Sequence, residues 1–298
     1  MKINILALFL ALSLTGCEAK DLSNTSSNTS IIELQEFKNI VENGDQRQQQ
    51  QQLFEKIQKN ANKNDAFSQN LLGVIYENGY LNQSKDIEKA IDWYSKSAKK
   101  GNGLAENNIG NLYYRGQGVE KNDEIAYQYY EKAVQKNIPE AVNSIGLIYF
   151  NGSYVSADKQ KACEYFKKAA DLKNHLGESN VANCYLNGWN GPVDKKKYFD
   201  YSLKAANANY APSQFNVAVM YSKGEVVQKS ITESIKWYKK ALENNDPRAA
   251  YNLGSLYEKG NDIEKDLNKS YRYYELAYEM GLDVAKHKID YLKSQGVN

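Results

Sequence analysis

Residues 105–133 read AENNIGNLYYRGQGVEKNDEIAYQYYEKA, and the arrangement recurs along the chain. Tyr76, Tyr113, Tyr149, Tyr185, Tyr221 and Tyr257 follow one another at steps of 37, 36, 36, 36 and 36 residues. Three residues after each tyrosine comes a glycine: Gly79, Gly116, Gly152, Gly188, Gly224 and Gly260. Three before it stands Gly73, Gly110, Gly146, Ala182, Ala218 or Gly254. Four before it is aliphatic (Leu72, Ile109, Ile145, Val181, Val217, Leu253), and one before it is apolar (Ile75, Leu112, Ile148, Cys184, Met220, Leu256). Positions four and one before the tyrosine share a helical stripe with it, so each block predicts an amphipathic helix. The glycine ends that helix, because a left-handed C-terminal cap costs glycine nothing sterically.

A second helix follows in each block. Sixteen or seventeen residues after the tyrosine comes another aromatic: Trp93, Tyr129, Tyr165, Tyr201, Trp237 or Tyr273. Four residues further lies a small one: Ser97, Ala133, Ala169, Ala205, Ala241 or Ala277. The small slots let helices approach closely, and these aromatics are expected to fill the gap between layers. Pro139, Pro212 and Pro247 fall at starts of first helices, where a missing N–H is harmless, and Asp246 reads as the cap before Pro247.

With this pattern the chain resembles the Sel1-like repeat family, relatives of tetratricopeptide arrays. The stretch Ala105-Glu-Asn-Asn-Ile-Gly110-Asn-Leu-Tyr113-Tyr-Arg-Gly116-Gln-Gly118-Val119 and the following Ala126 to Ala133 carry the resemblance. It implies an all-α fold, a right-handed α-solenoid of six helix–loop–helix repeats at 66–102, 103–138, 139–174, 175–210, 211–246 and 247–282. A helical segment over 33–65 precedes them, and a capping helix over 283–298 follows. The second loop glycine stands clearly only at Gly118, with Gly191 displaced, so loop shape is expected to vary.

The chain opens differently. Ile5 to Leu12 is an unbroken apolar run behind Lys2, too short to span a bilayer and suited to a secretory signal over 1–16. Leu14-Thr15-Gly16-Cys17 resembles the bacterial lipobox, which implies acylation of Cys17 and a lipid anchor in the membrane, with Glu18 favouring the outer membrane facing the periplasm. Residues 17–32 are small and polar and read as a flexible tether. Gln48–Gln52 reads as exposed helix surface.

Composition narrows the function. The 298 residues carry 38 basic and 36 acidic side chains, a net charge of +2. That balance gives no long-range field to draw in nucleic acid or an anionic membrane face. Two histidines and three cysteines leave little for a metal centre, and none is expected, nor any cofactor. No nucleophile–base–orienter set can be assembled, and no phosphate or dinucleotide fingerprint occurs, so no enzyme activity is expected. His175 and His287 read as exposed polar residues. Lys195–Lys197 reads as a solvated face. Cys163 and Cys184 occupy apolar slots, as core thiols or, in an oxidising periplasm, as a disulfide. Secreted relatives with two cysteines in every repeat offer no template for this chain.

Binding is expected on the first-helix face, which lines the concave side of such arrays. The slots around the stripe carry Asn107, Asn108, Asn111, Asn143, Asn180, Asn183, Asn216 and Asn252. Amide side chains both donate and accept, which suits a peptide backbone. Bonding between repeats is the competing role, in a chain with 33 asparagines. Tyr114, Phe150, Phe215 and Tyr251 on or near that face would anchor a partner. The expectation is an envelope scaffold for a protein or peptide. The alternatives are an immunity protein against a periplasm-delivered toxin such as a lipase, and, further off, a hydrolase of the cysteine-rich β-lactamase type.

Overall fold

The computed structural model describes residues 28–43 and 47–297, with side chains over 34–41 and from Arg47 onward. The expected signal peptide, Cys17 and the first part of the expected tether lie outside the described residues. Fifteen helices and no strand occur among the described residues.

The chain divides into two compact units at Asn174 and His175, a boundary between two repeats. The first holds α1 (Asn28–Asn43), α2 (Arg47–Asn62), α3 (Ala66–Asn78), α4 (Ile87–Ala98), α5 (Gly103–Arg115), α6 (Asp123–Val134), α7 (Pro139–Asn151) and α8 (Lys159–Asp171). The second holds α9 (His175–Asn187), α10 (Lys195–Asn207), α11 (Ala211–Lys223), α12 (Ile231–Glu243), α13 (Pro247–Lys259), α14 (Leu267–Glu279) and α15 (Ala285–Ser294). Within each unit every first helix packs most extensively on its own second helix, and each second helix on the next first helix.

Local chemistry sets each end. Gly79, Gly116, Gly152, Gly188, Gly224 and Gly260 all have φ between +64° and +73°. The second helices begin at Asp86, Asn122, Asp158, Asp194, Ser230 and Asp266, whose side chains each accept the N–H three residues on. The backbone N–H of the same residue donates to the carbonyl of the repeat tyrosine, at 2.8 Å for Tyr76 and Tyr149 and 3.0 Å for Tyr257. One residue therefore caps the helix and closes the loop, a second role beyond ordinary capping.

The glycine slot behaves differently from expectation. The residue that fills the space against it is the one after the expected aromatic: Tyr94 against Gly73, Tyr130 against Gly110, Phe166 against Gly146 and Tyr274 against Gly254. A Cβ on Gly110 would stand 2.7 Å from the Tyr130 ring. The expected gap-fillers, apart from the buried Trp237, lie half-buried. Tyr129, Tyr165, Tyr201 and Tyr273 instead stack on the repeat tyrosines, as Tyr257 and Tyr273 do at 5.9 Å and 8°. The helix phase explains the exchange, because one residue is a 100° turn and brings the neighbour inward.

The segment expected over 33–65 is a helix pair in step with the repeats. Ile57 takes the place of Trp93, and Ala61 that of Ser97. Phe37 stands where Gly73 does and Gln58 where Tyr94 does, so the bulk has moved to the other helix. Phe37 is fully buried and meets Tyr80 edge-on at 5.9 Å. Helix α1 opens at Asn28, inside the expected tether. Asn28, Thr29 and Ser30 are all cap-forming types, so sequence could not fix the first turn. At the other end α15 buries Ala285, Ile289 and Leu292, while Asp290 sits exposed in the small slot. Loop variation is absorbed locally: Gly118 lies against Ile87, and Tyr154 at the same position packs on Tyr127.

Candidate protein-binding face

The first-helix face differs between the units. In the first unit the amides point inward. Asn107, Asn108 and Asn143 are only 4%, 7% and 3% exposed, and Asn108 Nδ2 donates to Asn70 Oδ1 of the preceding repeat at 3.1 Å. These three are withdrawn from the expected contact surface. Five residues before the tyrosine, the Asn108 side chain meets the neighbouring first helix, so this amide joins two repeats. Asn111 is half-buried and accepts from the Tyr130 hydroxyl at 2.8 Å, and burial raises the pKa of that phenol, keeping it a donor. Tyr114 accepts from Asn151 Nδ2 at 3.2 Å, and Phe150 is half-buried under the Lys159 ammonium at 5.8 Å.

In the second unit the face is more open. Asn180, Asn183, Phe215, Asn216, Tyr251 and Asn252 are all half-buried. Phe215 and Tyr251 hold the same place in successive repeats, as do Asn216 and Asn252. Phe215 packs on Tyr238 at 5.8 Å, and Tyr251 on Tyr274 at 5.1 Å. Asn252 Nδ2 donates to the Tyr238 hydroxyl at 2.9 Å. Sequence reasoning missed Arg248, whose guanidinium covers the Phe215 ring at 4.3 Å while holding Asp246 through Nε at 2.9 Å and Nη2 at 2.6 Å. Nothing periodic marks Arg248, so only its position beside Pro247 could have drawn notice.

The remaining singled-out residues fall elsewhere. His175 is half-buried rather than exposed, against the Tyr210 ring at 5.4 Å, and burial lowers its pKa. Tyr210 shields it because aromatic bulk replaces the usual polar cap there. His287 is exposed. Cys163 and Cys184 are 2% and 3% exposed, and each is disulfide-bonded. Lys96, Lys132, Lys168, Lys204 and Lys240 lie over Trp93, Tyr129, Tyr165, Tyr201 and Trp237 at 4.1–5.0 Å, a periodicity legible in the sequence. No group of histidine, cysteine and carboxylate side chains suited to a metal occurs among the described residues.

Consecutive helix pairs, each too small to enclose a core alone, define an α-solenoid scaffold. The Sel1 repeat model matches residues 66–102, 103–138, 139–174, 175–210, 211–246 and 247–282, and the chain belongs to the Sel1 repeat family. A Sel1 repeat protein from Oxalobacter formigenes is 27% identical, with a TM-score of 0.68 over 72% of this chain and 88% of that one. The protective antigen c5321 of uropathogenic Escherichia coli is 21% identical, with a TM-score of 0.64 over 90% of this chain but only 57% of the antigen. The immunity protein PA5088 of Pseudomonas aeruginosa shares the fold at 18% identity and a TM-score of 0.52, over 73% of this chain and 82% of its own. No curated protein matches the chain.

Proposed function

We propose that this solenoid is a non-enzymatic scaffold that binds a protein or peptide of the cell envelope through its first-helix face. The supporting observation is the repeated pair Phe215–Asn216 and Tyr251–Asn252, half-buried in successive repeats. Rings held by their neighbours lose little freedom on binding, and amides beside them can pair with a peptide backbone. A pull-down from envelope extract with the full chain identifies the partner. Phe215→Ala with Tyr251→Ala should weaken it by about thirtyfold or more, and Asn216→Glu, which spares the aromatic packing, should weaken it too. Unchanged binding in both variants would remove this face from the reading. Turnover of a β-lactam or glycan, lost in the same variants, would replace the scaffold with an enzyme.

The reading includes a lipid anchor at Cys17 on the outer membrane, supported by the apolar run and the Leu14-Thr15-Gly16-Cys17 sequence. The disulfide-bonded state of Cys163 and Cys184 suits an oxidising periplasm. Cells fed radioactive palmitate should label the chain, and Cys17→Ser should abolish the label. A narrower form of the role is neutralisation of a toxin delivered into the periplasm, which the fold shared with PA5088 favours. An adjoining effector gene whose product the chain inhibits at equimolar ratio would support it.

A further inference from the structure

The fourth repeat departs from its neighbours at its loop. The residue before the second-helix cap is lysine in four repeats, Lys85, Lys121, Lys229 and Lys265, but here it is Val193. Val193 is 56% exposed, and Leu186 at the end of α9 is 39% exposed. Only six large apolar side chains stand this open among the described residues, and two of them flank this loop. The loop folds back so that Val193 Cγ2 lies 3.5 Å from where a Cβ on Gly188 would stand. Pro192 between them is exposed as well.

Three lysines follow, Lys195, Lys196 and Lys197, as the first three residues of α10. A helix N-terminus carries partial positive charge and favours acids. Helices α4, α6 and α12 comply with Glu88, with Asp123 and Glu124, and with Glu233, whereas α8, α10 and α14 have no acid in the first turn, and α10 alone of these second helices opens on three lysines. Lys197 has Asp194 at 3.5 Å, but Lys195 and Lys196 are exposed and make no ion pair among the described residues. The isolated fold gains nothing from an apolar tip in water or from cations at a positive helix end. A surface that is apolar within and anionic at its rim satisfies both.

We propose that this edge docks on an anionic lipid bilayer. Leu186, Pro192 and Val193 enter the boundary between headgroups and acyl chains, and Lys195 and Lys196 meet the phosphates. The attachment is separate from any acyl group on Cys17, and it meets the end of the first-helix face at Leu186, the repeat counterpart of Tyr114 and Phe150. No described helix is long and apolar enough to cross the membrane, so the contact is peripheral.

The test is co-sedimentation of the chain from Glu18 onward, which keeps every helix described above. It uses vesicles of phosphatidylglycerol with phosphatidylcholine against phosphatidylcholine alone. The mixed vesicles should bind at least about tenfold more chain, with the difference shrinking as salt rises. Lys195→Glu with Lys196→Glu should remove that preference, at about fivefold per lysine, while raising the melting temperature by placing acids at the positive helix end. Val193→Asp should weaken binding, and Lys236→Glu on α12 should not. Equal binding to both vesicles, or a double-glutamate variant that still prefers the mixed ones, would overturn the proposal. Capture of an acidic protein without vesicle binding would overturn it in favour of a protein dock.

Discussion

Gly110 shows how little room a single residue leaves. Gly110→Val would drive its side chain into Tyr130 and should cost about 1–3 kcal/mol in urea denaturation. A variant as stable as the parent would mean that the ring has space the structure does not show. Lys173 carries the opposite opportunity. The turns between helix pairs each pass through a left-handed residue, at Asn64, Gly101, Asn137, Lys173, Asn209, Asn245 and Gly281. Asparagine and glycine tolerate that backbone, and lysine has no such local hydrogen bond to offset it. Lys173→Gly should therefore stabilise the chain by about 0.5–1 kcal/mol, and a loss in the same denaturation experiment would contradict the strain. Four of those seven turns use asparagine, which accounts for part of the asparagine richness.

At the scale of the element, the last helix pair depends on one carboxylate. Glu258 accepts from the Tyr274 hydroxyl at 2.6 Å and from Lys288 Nζ of α15 at 3.0 Å. Burial opposes its charge, but the bonds from Tyr274 and Lys288 outweigh burial and hold its pKa below the usual carboxylate value. A depressed folded pKa adds stability that is full above the unfolded value of about 4.3 and is lost as pH falls through the folded one. The melting temperature should therefore drop below about pH 4, with α15 loosening first. Glu258→Gln should flatten that part of the profile, and an unchanged profile would show that the carboxylate is not the sensor. Tyr274 and Glu258 stand in the sequence as periodic counterparts of Tyr94 and Glu77, but which hydroxyl reaches which carboxylate follows from side-chain direction, which periodicity leaves open.

At the scale of the molecule, stability is a sum over repeats and their nearest-neighbour contacts. Deleting residues 211–246, a whole repeat, should leave helical content per residue unchanged by circular dichroism. Deleting α12 with its loop, residues 225–246, strips the buried Trp237 and Tyr238 from α11 and α13 and should unfold the second unit. If both deletions melt like the parent, the repeat boundaries are misplaced. The proposed docking surfaces need that regularity, because Phe215 and Tyr251 align only when successive helix pairs stack in step.

The six repeats, their glycine caps and the apolar stripe were legible in the amino-acid sequence, because helical period and cap sterics are local and repeat every 36 residues. The direction of the amides was not. Asn107, Asn108 and Asn143 are of the residue type a binding ladder would use, yet they are buried, and Asn108 turns to Asn70 of the preceding repeat. Which of Tyr129 or Tyr130 fills the glycine slot, and whether Phe37 or Tyr94 supplies the bulk, also waited on packing. Burial of a side chain is set by what the neighbouring helix brings to it, and that neighbour is chosen only when the chain is folded.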